Sequence, residues 1–143
     1  MLFRSYRLPG DEPQRDTVLE HGELITAVTL PELPLARTST YRKVRERASY
    51  AFALVSVALA VTLREGAVED IRIAFGGLAH KPWRAHTAEE HLRGREPTDE
   101  NVRAAAAIEL AAARPLGDND FKIPMAGSAL VTAMRDLTTE ALA

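Results

Sequence analysis

The sequence predicts an α+β domain, with a small three-stranded antiparallel sheet packed on a helical layer. Three observations carry this. Strand-patterned segments fill the first half of the chain and helix-patterned segments the second. Two strand segments are joined by a short glycine-containing turn, as hairpin partners are. Strands and helices do not alternate, so a parallel sheet is not expected.

Residues 1–20 are polar and carry the turn-prone "LPGDEP", which reads as a lead-in or linker ahead of a domain over 21–143. "ELITAVTLP" follows, with apolar Leu24, Ile25, Ala27, Val28 and Leu30, β-branched threonines between them, and Pro31 as its stop. It predicts a first strand. "PELPLARTST" holds two prolines and predicts a loop. Ala48 to about Leu54 predicts a short helix, and Val55–Leu63, rich in β-branched residues, a second strand. "REGAVED" is a turn around Gly66. In "IRIAFGG", Ile71, Ile73 and Phe75 alternate with Arg72 and Ala74, a half-buried third strand.

Beyond Gly76-Gly77 the pattern turns helical. "HTAEEHLRG" offers Thr87 as N-cap, Glu90 three residues on and Gly94 as stop. "PTDENVRAAAAIELAAARPLG" offers Thr98 as cap, Asp99 and Glu100 at the positive helix end, an Ala-rich middle, and Arg114-Pro115 as its close. The segment from about Pro124 to Leu142 places Ala126, Leu130, Ala133 and Leu137 on one helical face.

Composition narrows the function classes. The chain has 143 residues, 46% hydrophobic and 27% charged, which suits one soluble globular domain. Its net charge of −2 argues against an overall electrostatic grip on nucleic acid. There is no cysteine, which excludes disulfides, thiolate metal ligation, Fe–S ligation and thiol catalysis within this chain. The N-terminus shows no secretory signal pattern. The apolar run from Tyr50 to Leu63 falls short of the ~20 residues a membrane span needs. No membrane segment is expected, and the expected compartment is the cytoplasm, or the periplasm through a partner subunit.

Catalytic motifs are wanting. His86 and His91 are five apart, off the i,i+4 spacing of a helical metal pair, and no HExxH occurs. Ser128 lies in "AGSAL" rather than G-x-S-x-G. Gly76-Gly77 reads as a turn or bulge, because phosphate-cradle patterns are absent. The acid pairs Glu89-Glu90 and Asp99-Glu100 sit where helix starts favour negative charge.

One cluster stands apart. Arg42, Lys43, Arg45 and Arg47 crowd the approach to Ser49-Tyr50, after which charge stops and the apolar run begins. Two readings stay open on the residues alone. The cluster is a solvated strand or loop edge, or it is the rim of a site for an anion or cofactor. In the second reading the N–H groups of a short following helix would help hold the ligand.

Four blocks in order, "HGELITAVTLP", "YRKVRERASYAFALVSVALAV", "IRIAFGGLAHKPWRA" and "ARPLGDNDFKIPMAG", carry a resemblance. Together they resemble the C-terminal domain of the FAD-binding (medium) subunit of molybdenum hydroxylases, the xanthine dehydrogenase, CO dehydrogenase and aldehyde oxidoreductase family. The resemblance covers nearly the whole chain and implies the same fold. It implies a domain that closes over a flavin held mainly by an N-terminal, glycine-rich FAD domain. The implied cofactor-binding residues are Ile25, near the cofactor, Lys43, approaching it, and the Arg45–Tyr50 loop, with Arg47, Ser49 and Tyr50, beside the isoalloxazine ring. Many relatives have Asp where Ser49 stands, which implies a different field at the flavin here.

The implied partners are the N-terminal FAD domain of the same subunit, a molybdopterin-binding large subunit and a 2Fe–2S small subunit. The implied role is support of electron transfer from Fe–S clusters to FAD, with the isolated chain inactive. The contrasting expectation is an assembly or dimerisation module without flavin contact, its cations paired with a partner's acids.

Overall fold

The structure, a computed structural model, describes residues 8, 10–15 and 17–141. The chain divides into two compact units, 1–33 and 34–143. In the first unit the predicted strand over Glu23–Pro31 is not formed. Among the described residues these positions lie in no helix or strand, and Leu24, Ile25, Val28 and Leu30 are exposed. The sequence is strand-like, but a strand also needs a neighbour to receive its backbone hydrogen bonds.

The second unit is α+β, as expected, with four strands rather than three. A 3₁₀ turn over Pro34–Arg37 leads into β1 (Ser39–Val44), β2 (Val55–Arg64), β3 (Ala67–Gly76) and the two-residue β4 (Trp83–Arg84). They form one antiparallel sheet in that order. Helices α1 (His86–Leu92), α2 (Asp99–Leu110) and α3 (Lys122–Ala141) follow. The expected hairpin is β2–β3. Its turn is Glu65-Gly66, both at positive φ (54° and 81°), the geometry of a two-residue turn that matches strand twist. A bulge at Thr62/Leu63 places Leu63 opposite Val68, so Val68 joins the core although it is out of step with Ile71, Ile73 and Phe75.

Period-two alternation gives the sheet two unlike faces. Val55, Val57, Leu59 and Val61 of β2 and Ile71, Ile73 and Phe75 of β3 are buried and pack with the helices. Ala126, Leu130, Ala133 and Leu137 of α3 are buried, as their spacing predicted. Helices α2 and α3 approach closely: a Cβ at Gly127 would lie 3.7 Å from that of Ala106. Thr98 caps α2, its Oγ1 accepting the Asn101 N–H at 3.2 Å. The helix stops at Leu110, short of the predicted Arg114, because Ala112 and Ala113 turn to i→i+3 bonds with Glu109 and Leu110.

The start of α1 differs from expectation in an informative way. Thr87 lies inside the helix, with Ala85 at the cap position making no side-chain bond. The free N–H of Ala88 is instead taken by Glu109 Oε2 of α2 at 3.1 Å, and Glu109 Oε1 accepts the Trp83 indole N–H at 2.7 Å. Glu89, read from the sequence as a helix-start acid, is 1% exposed. Its Oε1 accepts the Ile73 N–H at 2.7 Å, and Arg84 grips both oxygens at 2.6 and 3.0 Å. Beside it, Asp70 lies between Arg72 and Arg93. Burial pushes the Asp70 carboxyl up, but the Arg72 side chain, the Ile71 N–H and the charges of Arg72 and Arg93 outweigh it and hold the carboxyl below its ordinary value.

Two outcomes follow for stability. Glu109→Leu strands the Trp83 and Ala88 donors and costs about 2–4 kcal/mol in urea unfolding, with the sole tryptophan reporting the change by fluorescence. For Asp70 the folded-state value is the lower one, so its contribution is present above the unfolded carboxylate value of about 3.9 and is lost as pH falls through the folded one. Asp70→Asn is therefore less stable than the parent at about pH 7, and the gap closes towards about pH 2, measured by urea titration across that range.

Candidate functional site

The other face of the sheet has no helix on it, and register defines it row by row. Lys43, Ser56 and Gly76 share one row. Tyr41, Ala58, Ala74 and Arg84 share the next, and Ser39, Ala60 and Arg72 a third. Sheet faces turned to water ordinarily carry long polar side chains. Here, near the β1–β2 loop, the floor is alanine, serine and glycine. A Cβ at Gly76 would collide with Ser56 Oγ, so in the row beside Lys43 glycine leaves room for the serine hydroxyl.

The β1–β2 loop, residues 45–54, stands at the end of this floor. Its neck is closed by the Leu54 N–H donating to the Val44 carbonyl at 2.9 Å. Inside it the predicted helix over Ala48–Leu54 is not formed, because Tyr50 takes a left-handed φ of 50° that no right-handed helix accommodates. Arg47 fixes that bend, its Nε and Nη2 both donating to the Tyr50 carbonyl, at 3.2 and 2.5 Å. The notion of helix N–H groups meeting an anion here falls with the helix. Gly77, at φ 77°, runs beneath the neck: a Cβ there would come within 2.7 Å of the Leu54 carbonyl oxygen. Only glycine fits that crossing. Lys122 Nζ, at the start of α3, donates to the Gly77 carbonyl at 3.1 Å.

The cations of the cluster have separate fates. Arg42 lies on the helix-covered side and pairs with Asp136 of α3 at 3.0 Å. Arg47 is spent on the loop's own backbone. Among the described residues, the side chains of Lys43 and Arg45 have no ion-pair or hydrogen-bond partner, and both residues are exposed. Ser49 is exposed, and Tyr50 is 96% exposed. Lys43, Arg47, Ser49 and Tyr50 thus fall together on one strand end and one loop, while Ile25 is exposed in the first unit.

Sequence reasoning missed two aromatics. Phe52 is 97% exposed beside Tyr50, and Tyr41 lines the floor at 63% exposure. The signal was present in "SYAF": two aromatics two apart, ahead of a strand whose own apolar residues already fill the core. Among the described residues no group of three or more His, Asp or Glu is placed to hold a metal ion, and no helix is long and apolar enough to cross a membrane.

Comparison with known proteins gives this arrangement a context. The family described as the CO dehydrogenase flavoprotein C-terminal domain matches residues 39–137. The aldehyde oxidoreductase FAD-binding subunit of Escherichia coli is 43% identical over 95% of the chain, and the glyceraldehyde dehydrogenase medium chain of Sulfolobus acidocaldarius 38% identical over 68%. The chain spans only 39% and 34% of those two relatives. Among solved structures, CO dehydrogenase from Oligotropha carboxidovorans superposes with a TM-score of 0.75 at 25% identity, over 92% of this chain and 46% of that one.

The loop's shape rests on one guanidinium and one glycine. Arg47→Ala is expected to speed chymotrypsin cleavage at Tyr50 and Phe52 several-fold in a timed digest. Global stability should change by less than about 1 kcal/mol, since the bond lost is an exposed one.

Proposed function

The chain belongs to the CO dehydrogenase flavoprotein C-terminal domain family, the C-terminal domain of the FAD-binding subunit of molybdenum hydroxylases, and on that premise we propose that it forms one wall of a flavin site. The observation that carries the reading is the junction of a floor of small residues, a lysine whose side chain has no partner among the described residues, and a pre-shaped aromatic loop. Its donor set suits such a group. Lys43 supplies a cation at the floor's edge, Tyr50 an aromatic face with a polar tip, and Ser49 a hydroxyl. Arg47 acts through the loop backbone, holding Tyr50 in place. Ile25 adds an apolar side chain from the preceding segment. When bound, FAD supplies the electron-carrying chemistry, receiving electrons that arrive through Fe–S clusters.

This chain's own work is to orient, to exclude water and to set the local field. Lys43 contributes positive charge, which favours an electron-rich ring. Ser49 adds a neutral hydroxyl rather than a charge to that field. The rest of the site, a glycine-rich FAD domain, is assigned to polypeptide beyond the matched region, with molybdopterin-binding and 2Fe–2S subunits as further partners, in the cytoplasm or in a periplasmic complex. A pure assembly module is less well supported. Arg42 and Arg47, which would have to meet a partner's acids, already have partners within the chain.

The isolated chain is expected to purify colourless and to bind FAD no more tightly than about micromolar, since one wall cannot offset the cost of association. Stoichiometric yellow protein would refute the one-wall reading. In the intact subunit, Lys43→Ala is expected to lower flavin content or shift the flavin potential. Unchanged values of both would remove Lys43 from the site.

A further inference from the structure

Among the described residues three polar side chains are buried: Ser56, Glu89 and Glu109. Both glutamates spend their oxygens on donors within the domain. Ser56 does not. It is 6% exposed, and its hydroxyl has no hydrogen-bond partner among the described residues. An unused polar group in a packed setting costs stability, so a fold-based reason for this serine is wanting. The Oγ is not sealed in, because none of the described side-chain nitrogens and oxygens is both cut off from solvent and without a partner. The hydroxyl therefore keeps an opening to the surface, on the side of the sheet that carries no helix.

Two neighbours converge on that opening. Ser56 is paired with Lys43 of β1 on one side and with Gly76 of β3 on the other. Directly opposed residues have Cβ atoms about 4.5–5.5 Å apart, which puts the exposed Lys43 side chain within reach of a group held at Ser56. Gly76 is not at positive φ, so its missing side chain serves space rather than backbone freedom. Chain neighbours aside, a Cβ there would meet atoms of Ser56 alone within 4 Å, and it would overlap the Oγ. We propose that Ser56 is a further cofactor-binding residue, its Oγ–H donating to an acceptor atom on the polar edge of the flavin ring, with Lys43 beside it and Gly76 keeping the space clear. This rests on the flavin-wall reading and deepens it by naming a donor in the floor itself. Lysine is a point charge on a flexible stem and supplies field without direction. A short hydroxyl on the central strand β2 supplies direction. A bond donated to the ring strengthens as electrons enter it, so Ser56 raises the flavin potential.

Ser56→Ala separates a ligand-bound hydroxyl from a structural one by opposite signs in two proteins. In the isolated full chain the urea midpoint should stay level or rise, because no bond is lost and an unused hydroxyl is removed. A lower midpoint assigns the hydroxyl to the fold and overturns the proposal. In the intact subunit, titrated with FAD, the same substitution should weaken binding about two- to tenfold, the worth of one hydrogen bond, and make the flavin potential more negative. Gly76→Ala, which displaces the Oγ, should weaken FAD binding in the parent and add little to Ser56→Ala, since the two act through one atom. Additive losses would place the effect of Gly76 elsewhere and overturn the arrangement. If Ser56→Ala leaves affinity and potential unchanged while Lys43→Ala alters either, Ser56 is removed and the flavin wall stands. If neither substitution alters them, both readings fail.

Discussion

The architecture of residues 34–143 depends on two carboxylates that could stay buried only by being fully used. Moving an ionised Glu out of water is costly unless hydrogen bonds replace its hydration. Glu109 meets this with a helix-start N–H and an indole N–H, Glu89 with a strand-edge N–H and a guanidinium. Both solve backbone problems at the same time. Glu109 supplies the cap that α1 lacks locally. Glu89 receives the Ile73 N–H that a two-residue β4 is too short to pair. Removing either leaves donors stranded in the core, so α1, α2 and β4 are locked to β3 as one body. With the helices fixed on one side, the other face of the sheet carries no helix.

The two unlike faces explain the abrupt change from charge to grease between Arg42 and Leu63. The apolar half is β2, and its odd positions had to be apolar because the helices cover them. Its even positions, Ser56, Ala58 and Ala60, are small; Ser56 and Ala60 are buried and Ala58 is exposed. Their smallness keeps the floor low between Lys43 and Tyr41 of β1 and Arg72 of β3. The basic half is partitioned by geometry. Strand alternation sends Arg42 to the helices and Lys43 to the floor, and the loop consumes Arg47. What read as one cationic patch is one structural clip, one backbone brace and two free cations.

The legible parts of this fold were those whose cause is local. The β2–β3 hairpin follows from alternation and a glycine turn, the α2 start from Thr98, and the α3 face from 3.6-residue spacing. The parts that were not legible have distant causes. Strand β1, "STYRKV", is polar on both sides and becomes a strand only because β2 pairs with it. The helix expected at Ala48–Leu54 lost to a left-handed Tyr50 held by Arg47. Glu89 and Glu109 resemble surface acids until helices 21 residues apart in sequence, Ala88 and Glu109, are brought together. Of the candidate site, Lys43, Arg47, Ser49 and Tyr50 were reachable through the resemblance, whereas Phe52 and the floor needed the register.

Magnitudes decide what such a surface can do unaided. Burying Tyr50 and Phe52 would contribute roughly 3–6 kcal/mol together, at about 1.5–3 kcal/mol per large apolar side chain. Association from free solution costs an estimated 4–15 kcal/mol in lost motion. The loop alone therefore does not hold a partner tightly, however well shaped it is. Joined to the rest of a site through the same polypeptide, it meets its partner at an effective concentration near the millimolar range, and most of that cost is removed. A pre-bent loop then matters more than a sticky one, because no further ordering is needed on contact. This accounts for spending an arginine on a backbone carbonyl and a glycine on a crossing, while two aromatic rings are left in water.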